Sequence, residues 1–112
     1  MKFKVEKNRH TTILKILEKK IDHSISADLK AELIILSKPK SVKLFIIDFL
    51  NVEEIDEDGI TALLIAQRIT LEHDANLRLV NMSENVLSYF HSFKMIEQGF
   101  AIYKTLNEAL EE

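Results

Sequence analysis

Phe3 and Val5 alternate with Lys2, Lys4 and Glu6, the period-2 pattern of a strand with one wet face, and this predicts an edge strand. Thr11 to Glu18 is rich in branched residues, with Leu14 and Ile16 on one side and Ile13 and Leu17 on the other. Both faces want cover, so an interior strand is expected. Ser26 can cap a helix running from about 26 to 37, in which Leu29, Leu33, Ile34 and Leu36 share a face before Pro39 stops it. Lys43 to Leu50 holds a near-continuous apolar run, Leu44 to Ile47 and then Phe49 and Leu50, as a central strand buried on both faces does. Ile60 to Leu71, with few polar interruptions, reads as a largely buried helix. Leu77 to Val80 is a short strand, and Ser83 can cap a helix carrying Val86, Leu87 and Phe90. Phe100, Ile102 and Tyr103 predict a last strand, and Thr105-Leu106-Asn107-Glu108 has the capping-box spacing of a short terminal helix with Ala109 and Leu110 on its next turn.

The order ββαβαβαβα implies an α/β fold: a mixed, mostly parallel sheet of about five strands with about four helices. A chain of 112 residues has room for one domain, 1–112, that buries roughly two thirds of its unfolded surface. Hydrophobic residues at 46% and charged residues at 29% give the balance of a globular protein. Eighteen acidic against 15 basic residues leave a net charge of −3, which argues against nucleic acid as a partner. Cysteine is absent, removing thiolate metal sites and nucleophiles and fitting a reducing compartment. The charged N-terminus is no signal peptide, and the apolar stretches 44–50 and 60–66 are too short to insert in a bilayer, so a cytoplasmic protein is expected.

One segment concentrates chemistry: Glu53-Glu54-Ile55-Asp56-Glu57-Asp58-Gly59 puts five carboxylates between the central strand and a buried helix. Acidic residues suit a helix N-terminus without any further role, at about 0.3 to 1 kcal/mol each when exposed. A calcium loop fits Glu54, Asp56, Asp58 and Gly59 but fails at its closing glutamate, where Ile65 stands. Hydrolysis by paired or metal-bridged carboxylates of 53–58 is allowed by composition alone. The histidines, His10, His23, His73 and His91, are dispersed and form no zinc set, and two glycines cannot build a phosphate loop. A receiver-type acidic pocket would need acids from the first strand, which offers only Glu6. No catalytic residue, metal or cofactor is assigned. Asp48 reads as a strand-end acceptor for backbone or hydroxyl donors.

The stretch Lys20-Ile21-Asp22-His23-Ser24-Ile25-Ser26-Ala27-Asp28-Leu29 resembles the Leu-Asp-His and helix-start segment of STAS domains. Leu44 to Ile55 with Asp56-Glu57-Asp58-Gly59-Ile60 resembles their central strand ending in Asp-Ser-Ser-Gly-Leu, and 77–90 and 100–106 match the remaining elements in order. The resemblance spans nearly the whole chain. It implies a non-enzymatic binding protein similar to the antagonists of anti-sigma factors, which controls transcription by pairing with a partner of the serine/threonine-kinase type. In that family the first serine of Asp-Ser-Ser-Gly is phosphorylated by the partner, which switches the complex off. Here Asp56 matches the aspartate, Glu57 the phosphorylated serine, Asp58 the second serine and Gly59 the glycine, so the hydroxyl is missing from the switch.

Phosphoserine brings about −1.5 to −2 charges to a helix N-terminus, and a glutamate brings one charge on two oxygens, a partial and permanent imitation. Two outcomes follow for docking. Repulsion holds the protein in its released state against a partner surface of the ordinary kind, whereas Glu57 becomes an anchor against a partner offering Lys or Arg. Thr61, the nearest hydroxyl, falls inside the predicted helix and is a poor substitute acceptor. The resemblance adds Asp22, His23 and Ser24 to the docking surface of Asp56, Glu57, Asp58, Gly59 and Ile60, while turn and cap chemistry explains Ser24 equally well. An alternative is a STAS scaffold or accessory subunit of a membrane-associated transport complex, bound to some other STAS-binding protein.

Overall fold

The computed structural model describes residues 2–94 and 99–111. β1 (Phe3–Asn8) and β2 (Thr11–Ile16) form an antiparallel hairpin, followed by β3 (Lys20–Ile21), α1 (His23–Ser37), β4 (Leu44–Asp48), β5 (Glu54–Ile55) and α2 (Glu57–Glu72). β6 (Asn76–Val80), α3 (Glu84–Ser92), β7 (Ala101–Tyr103) and α4 (Leu106–Glu111) complete the chain. Five strands make one mixed sheet in the order β1-β2-β4-β6-β7, parallel everywhere except at the hairpin. The predicted α/β fold, its element order and the central place of β4 are all present.

Alternation along β4 sorts the core. Phe45 and Ile47 face one side, where Leu14, Leu29, Leu33, Leu63, Leu79 and Phe90 join them in the main hydrophobic cluster built with α1, α2 and α3. Ile46 faces the other side, where Val80 and Ala109 of α4 form a smaller cluster. Phe90 sits between two aromatic rings, edge-on to Phe49 at 6.4 Å and Phe100 at 6.1 Å.

The helix starts differ from expectation, and local hydrogen bonding explains why. α1 begins at His23, three residues before Ser26, because Asp22 is extended and its carboxylate accepts from the Ser24 amide at 2.9 Å. α2 begins at Glu57 and not at Ile60, because the Asp56 carboxylate accepts from the Gly59 amide at 3.1 Å. Ser83 and Thr105 cap as expected, accepting from the amides of Val86 and Glu108 at 3.1 Å each. α2 is also less buried than its composition suggests. Ile60, Leu63 and Ala66 are inside, but Leu64 is 36% exposed and Leu71 66%.

β3 and β5 were not predicted. They are two-residue strands in parallel register, Lys20 opposite Glu54 and Ile21 opposite Ile55, forming a small ribbon beyond the ends of β2 and β4. This ribbon sets the site described next, because each of its strands runs directly into a helix.

Candidate functional site

Because Ile21 and Ile55 are register partners, the residues that follow them, Asp22 and Asp56, stand at equivalent places. The Asp56 amide continues the ladder by donating to the Ile21 carbonyl at 3.0 Å. Each aspartate caps a helix, so the N-termini of α1 and α2 open side by side. Two sequence segments more than thirty residues apart thus become one surface.

At the first of these termini His23 and Ser24 are exposed, and the Ser24 hydroxyl donates to Asp22 at 2.5 Å. That bond, with the one from the Ser24 amide, holds the Asp22 carboxyl below its usual value and therefore ionised. At the second terminus Glu57 and Asp58 are exposed in the first turn of α2. Both sit where unpaired amides and the helix dipole favour negative charge. Gly59 and Ile60 are buried beneath them, so these two residues support the surface without forming its outer face.

Gly59 has a steric reason. A Cβ there would meet Ile55 Cγ1 at 2.6 Å and Ile21 Cγ2 at 2.7 Å, so only glycine lets α2 start against the ribbon. Thr61 is exposed, but its hydroxyl donates back to the Glu57 carbonyl at 3.0 Å within the helix. Asp48 lies apart from this surface. It is 6% exposed, and its carboxylate accepts from the Leu50 amide at 2.9 Å and the Asn81 side-chain amide at 3.0 Å. This is strand-end acceptor work, with an amide in place of a hydroxyl donor.

Sequence reading missed the contribution of α3. Tyr89 and Asn85 form one wall of a groove of about 380 Å³ whose other lining includes Ile21, Asp22, Ile55 and Asp56. Asn85 donates to the Glu53 carbonyl at 3.0 Å, which ties α3 to the acidic loop. Burial, and then the carboxylates of Glu57 and Asp56, push the Tyr89 phenol up, so it stays a protonated hydroxyl beside them. Lys20 and Glu54 pair across the ribbon at 3.3 Å. No motif marks Tyr89; its only signal is its place one helical turn after Asn85 and Val86 on α3.

The surface is acidic at its outer edge, with Asp22, Glu54, Asp56, Glu57 and Asp58, and apolar underneath. Among the described residues no three Asp, Glu or His side chains converge to hold a metal ion. Among them, too, no helix is long and apolar enough to cross a membrane.

The sequence model of the STAS domain matches residues 2–109. Among solved structures, an anti-sigma-factor antagonist (STAS) domain protein from Planctomyces limnophilus is similar over 96% of this chain and 93% of its own, with a TM-score of 0.84 and 15% identity. The phosphorylated form of the Bacillus cell fate determinant SpoIIAA is similar over 97% of this chain and 96% of its own, with a TM-score of 0.73 and 20% identity. A sulfate transporter family protein from Wolinella succinogenes is similar over 91% and 83% respectively, with a TM-score of 0.78 and 22% identity. No curated protein matches the chain by sequence. At these identities the likeness concerns the fold.

Proposed function

The chain belongs to the STAS domain family, and from that premise we propose that it is a non-enzymatic, cytoplasmic protein-binding regulator of the anti-sigma-antagonist kind, with fixed negative charge in place of a phosphoswitch. Its docking surface comprises Asp22, His23, Ser24, Asp56, Glu57 and Asp58, supported from beneath by Gly59 and Ile60. Its partner is an anti-sigma factor of serine/threonine-kinase type. One observation carries the reading: Glu57 is an exposed first residue of α2, immediately after the cap Asp56 and beside the other helix start at Asp22. A phosphoryl group on a side chain at that position would be as accessible to a partner as the carboxylate is.

The test is incubation with the cognate kinase and ATP followed by mass spectrometry. The native chain takes up no phosphate on residues 56–61, and Glu57→Ser takes up one; labelling of the native segment contradicts the proposal. Glu57→Gln then separates the two modes of docking. Tighter partner binding means that the carboxylate repels, and weaker binding means that it anchors.

A second reading, an accessory subunit of a transport complex, draws on the likeness to the Wolinella sulfate transporter family protein. Capture from the native cell distinguishes them. Recovery of a kinase-like ATPase favours regulation, and recovery of transporter components favours the accessory role.

A further inference from the structure

β1 is the outer strand of the sheet, with β2 as its one neighbour among the described residues. The Leu17 amide donates to the Lys2 carbonyl at 2.8 Å, so residues 2 and 17 are a hydrogen-bonded pair in a ladder that continues with 3 opposite 16 and 4 opposite 15. Antiparallel alternation then turns the amides and carbonyls of Lys4 and Glu6 toward β2, and those of Phe3, Val5 and Lys7 toward the free edge.

We propose that this edge binds a second copy of the chain, β1 to β1, antiparallel about a twofold axis at Val5. In that register Val5 faces Val5 and Phe3 faces Lys7, so every outward backbone group of one copy meets an outward group of the other, giving about six hydrogen bonds. Lys4 faces Glu6 of the second copy, and Glu6 faces Lys4. These are the pairs whose side chains stand nearest across an antiparallel ladder. Within one chain Lys4 and Glu6 are already 3.8 Å apart and largely exposed, so exchanging partners across the axis requires little desolvation. Val5, 37% exposed, is covered by its own copy.

The charge pattern selects this register. Slipping by one step in either direction, while keeping outward groups opposite outward groups, sets Lys4 against Lys4 or Glu6 against Glu6. Lysines on an edge strand ordinarily keep foreign strands away. Here the sequence Lys-Val-Glu repels a strand of like charge but is complementary to itself reversed. The contact uses none of the residues of the acidic surface, so its failure leaves the proposed function standing, and the converse also holds.

Sedimentation velocity on the full chain up to millimolar concentration tests it. A concentration-dependent monomer–dimer equilibrium is expected. Lys4→Glu weakens it about tenfold, because two like-charge pairs replace two opposite pairs, and adding Glu6→Lys restores it. Val5→Pro removes an outward amide that β2 does not use, so it abolishes the dimer while the circular dichroism spectrum and melting temperature stay close to native. A monomer at every concentration overturns the proposal, as does a dimer indifferent to both Lys4→Glu and Val5→Pro.

Discussion

A methyl group at Gly59 has nowhere to go. Its two nearest neighbours, Ile55 Cγ1 and Ile21 Cγ2, hang on branched carbons with stiff side-chain torsions and are part of the buried cluster, so they cannot swing aside as the tip of a lysine would. Helix propensity alone favours alanine over glycine by about 1 kcal/mol. Overpacking costs about 1–3 kcal/mol and wins. Gly59→Ala is therefore expected to lower the unfolding free energy in urea by up to about 2 kcal/mol, and a raised midpoint would show that the ribbon yields easily. The sequence alone supplied the glycine by resemblance but not its cause, because the cause lies in Ile21, a residue thirty-eight positions earlier. The same distance hid the equivalence of Asp22 and Asp56, although each was visible as an acidic residue before an apolar periodic stretch.

Periodicity reads an element well when it is long and faces a single environment. β1 is placed by the alternation of its residues, whereas β2 and β4 are placed by runs of branched and apolar residues that call for cover on both faces. β3 and β5 could not be read this way, since two residues carry no period and only their pairing makes them strands. For α2 the error ran the other way. Its apolar residues are too numerous for one face, and composition therefore suggested burial all round. The helix lies on one side of the sheet and packs beside α1, which covers Leu63 and Ala66 and leaves Leu71 in solvent. Truncation separates the two kinds of leucine. Leu63→Ala is expected to cost about 2–5 kcal/mol, as buried leucines do, whereas Leu71→Ala stays within about 0.5 kcal/mol. Comparable losses at both positions in denaturant titrations would mean that something covers Leu71 in solution.

At the scale of the molecule, the strand order explains why the helices are shared unequally between the faces. From β2 through β4 and β6 to β7 the chain steps across the sheet in one direction. Right-handed crossovers that all step the same way put their helices on one face, and α1, α2 and α3 accordingly share the main cluster. That follows from the order of elements once the order of strands is known, and the order of strands is what local pattern does not give. The opposite face is left with α4, a helix of 6 residues, which covers Ile46 and Val80 through Ala109 and Leu106. Arg78 fastens it from the sheet, donating to the Ala109 carbonyl at 2.5 Å with its guanidinium 5.4 Å from the centre of the Tyr103 ring. Such a helix is too short to persist unaided, so its order depends on this contact and on the Thr105 cap. Removing residues 105–112 uncovers two side chains that are now fully buried, a loss of up to about 3–6 kcal/mol at the usual value for burying aliphatic groups. The main cluster lies on the other side of β4 and keeps all of its members. The truncated chain is therefore expected to fold with unchanged circular dichroism from its remaining helices but a lower melting temperature, and to keep whatever partner binding the Asp22 and Asp56 surface supports. Loss of that binding in a truncated chain that is still folded would tie α4 to the site and contradict the separation of the two faces.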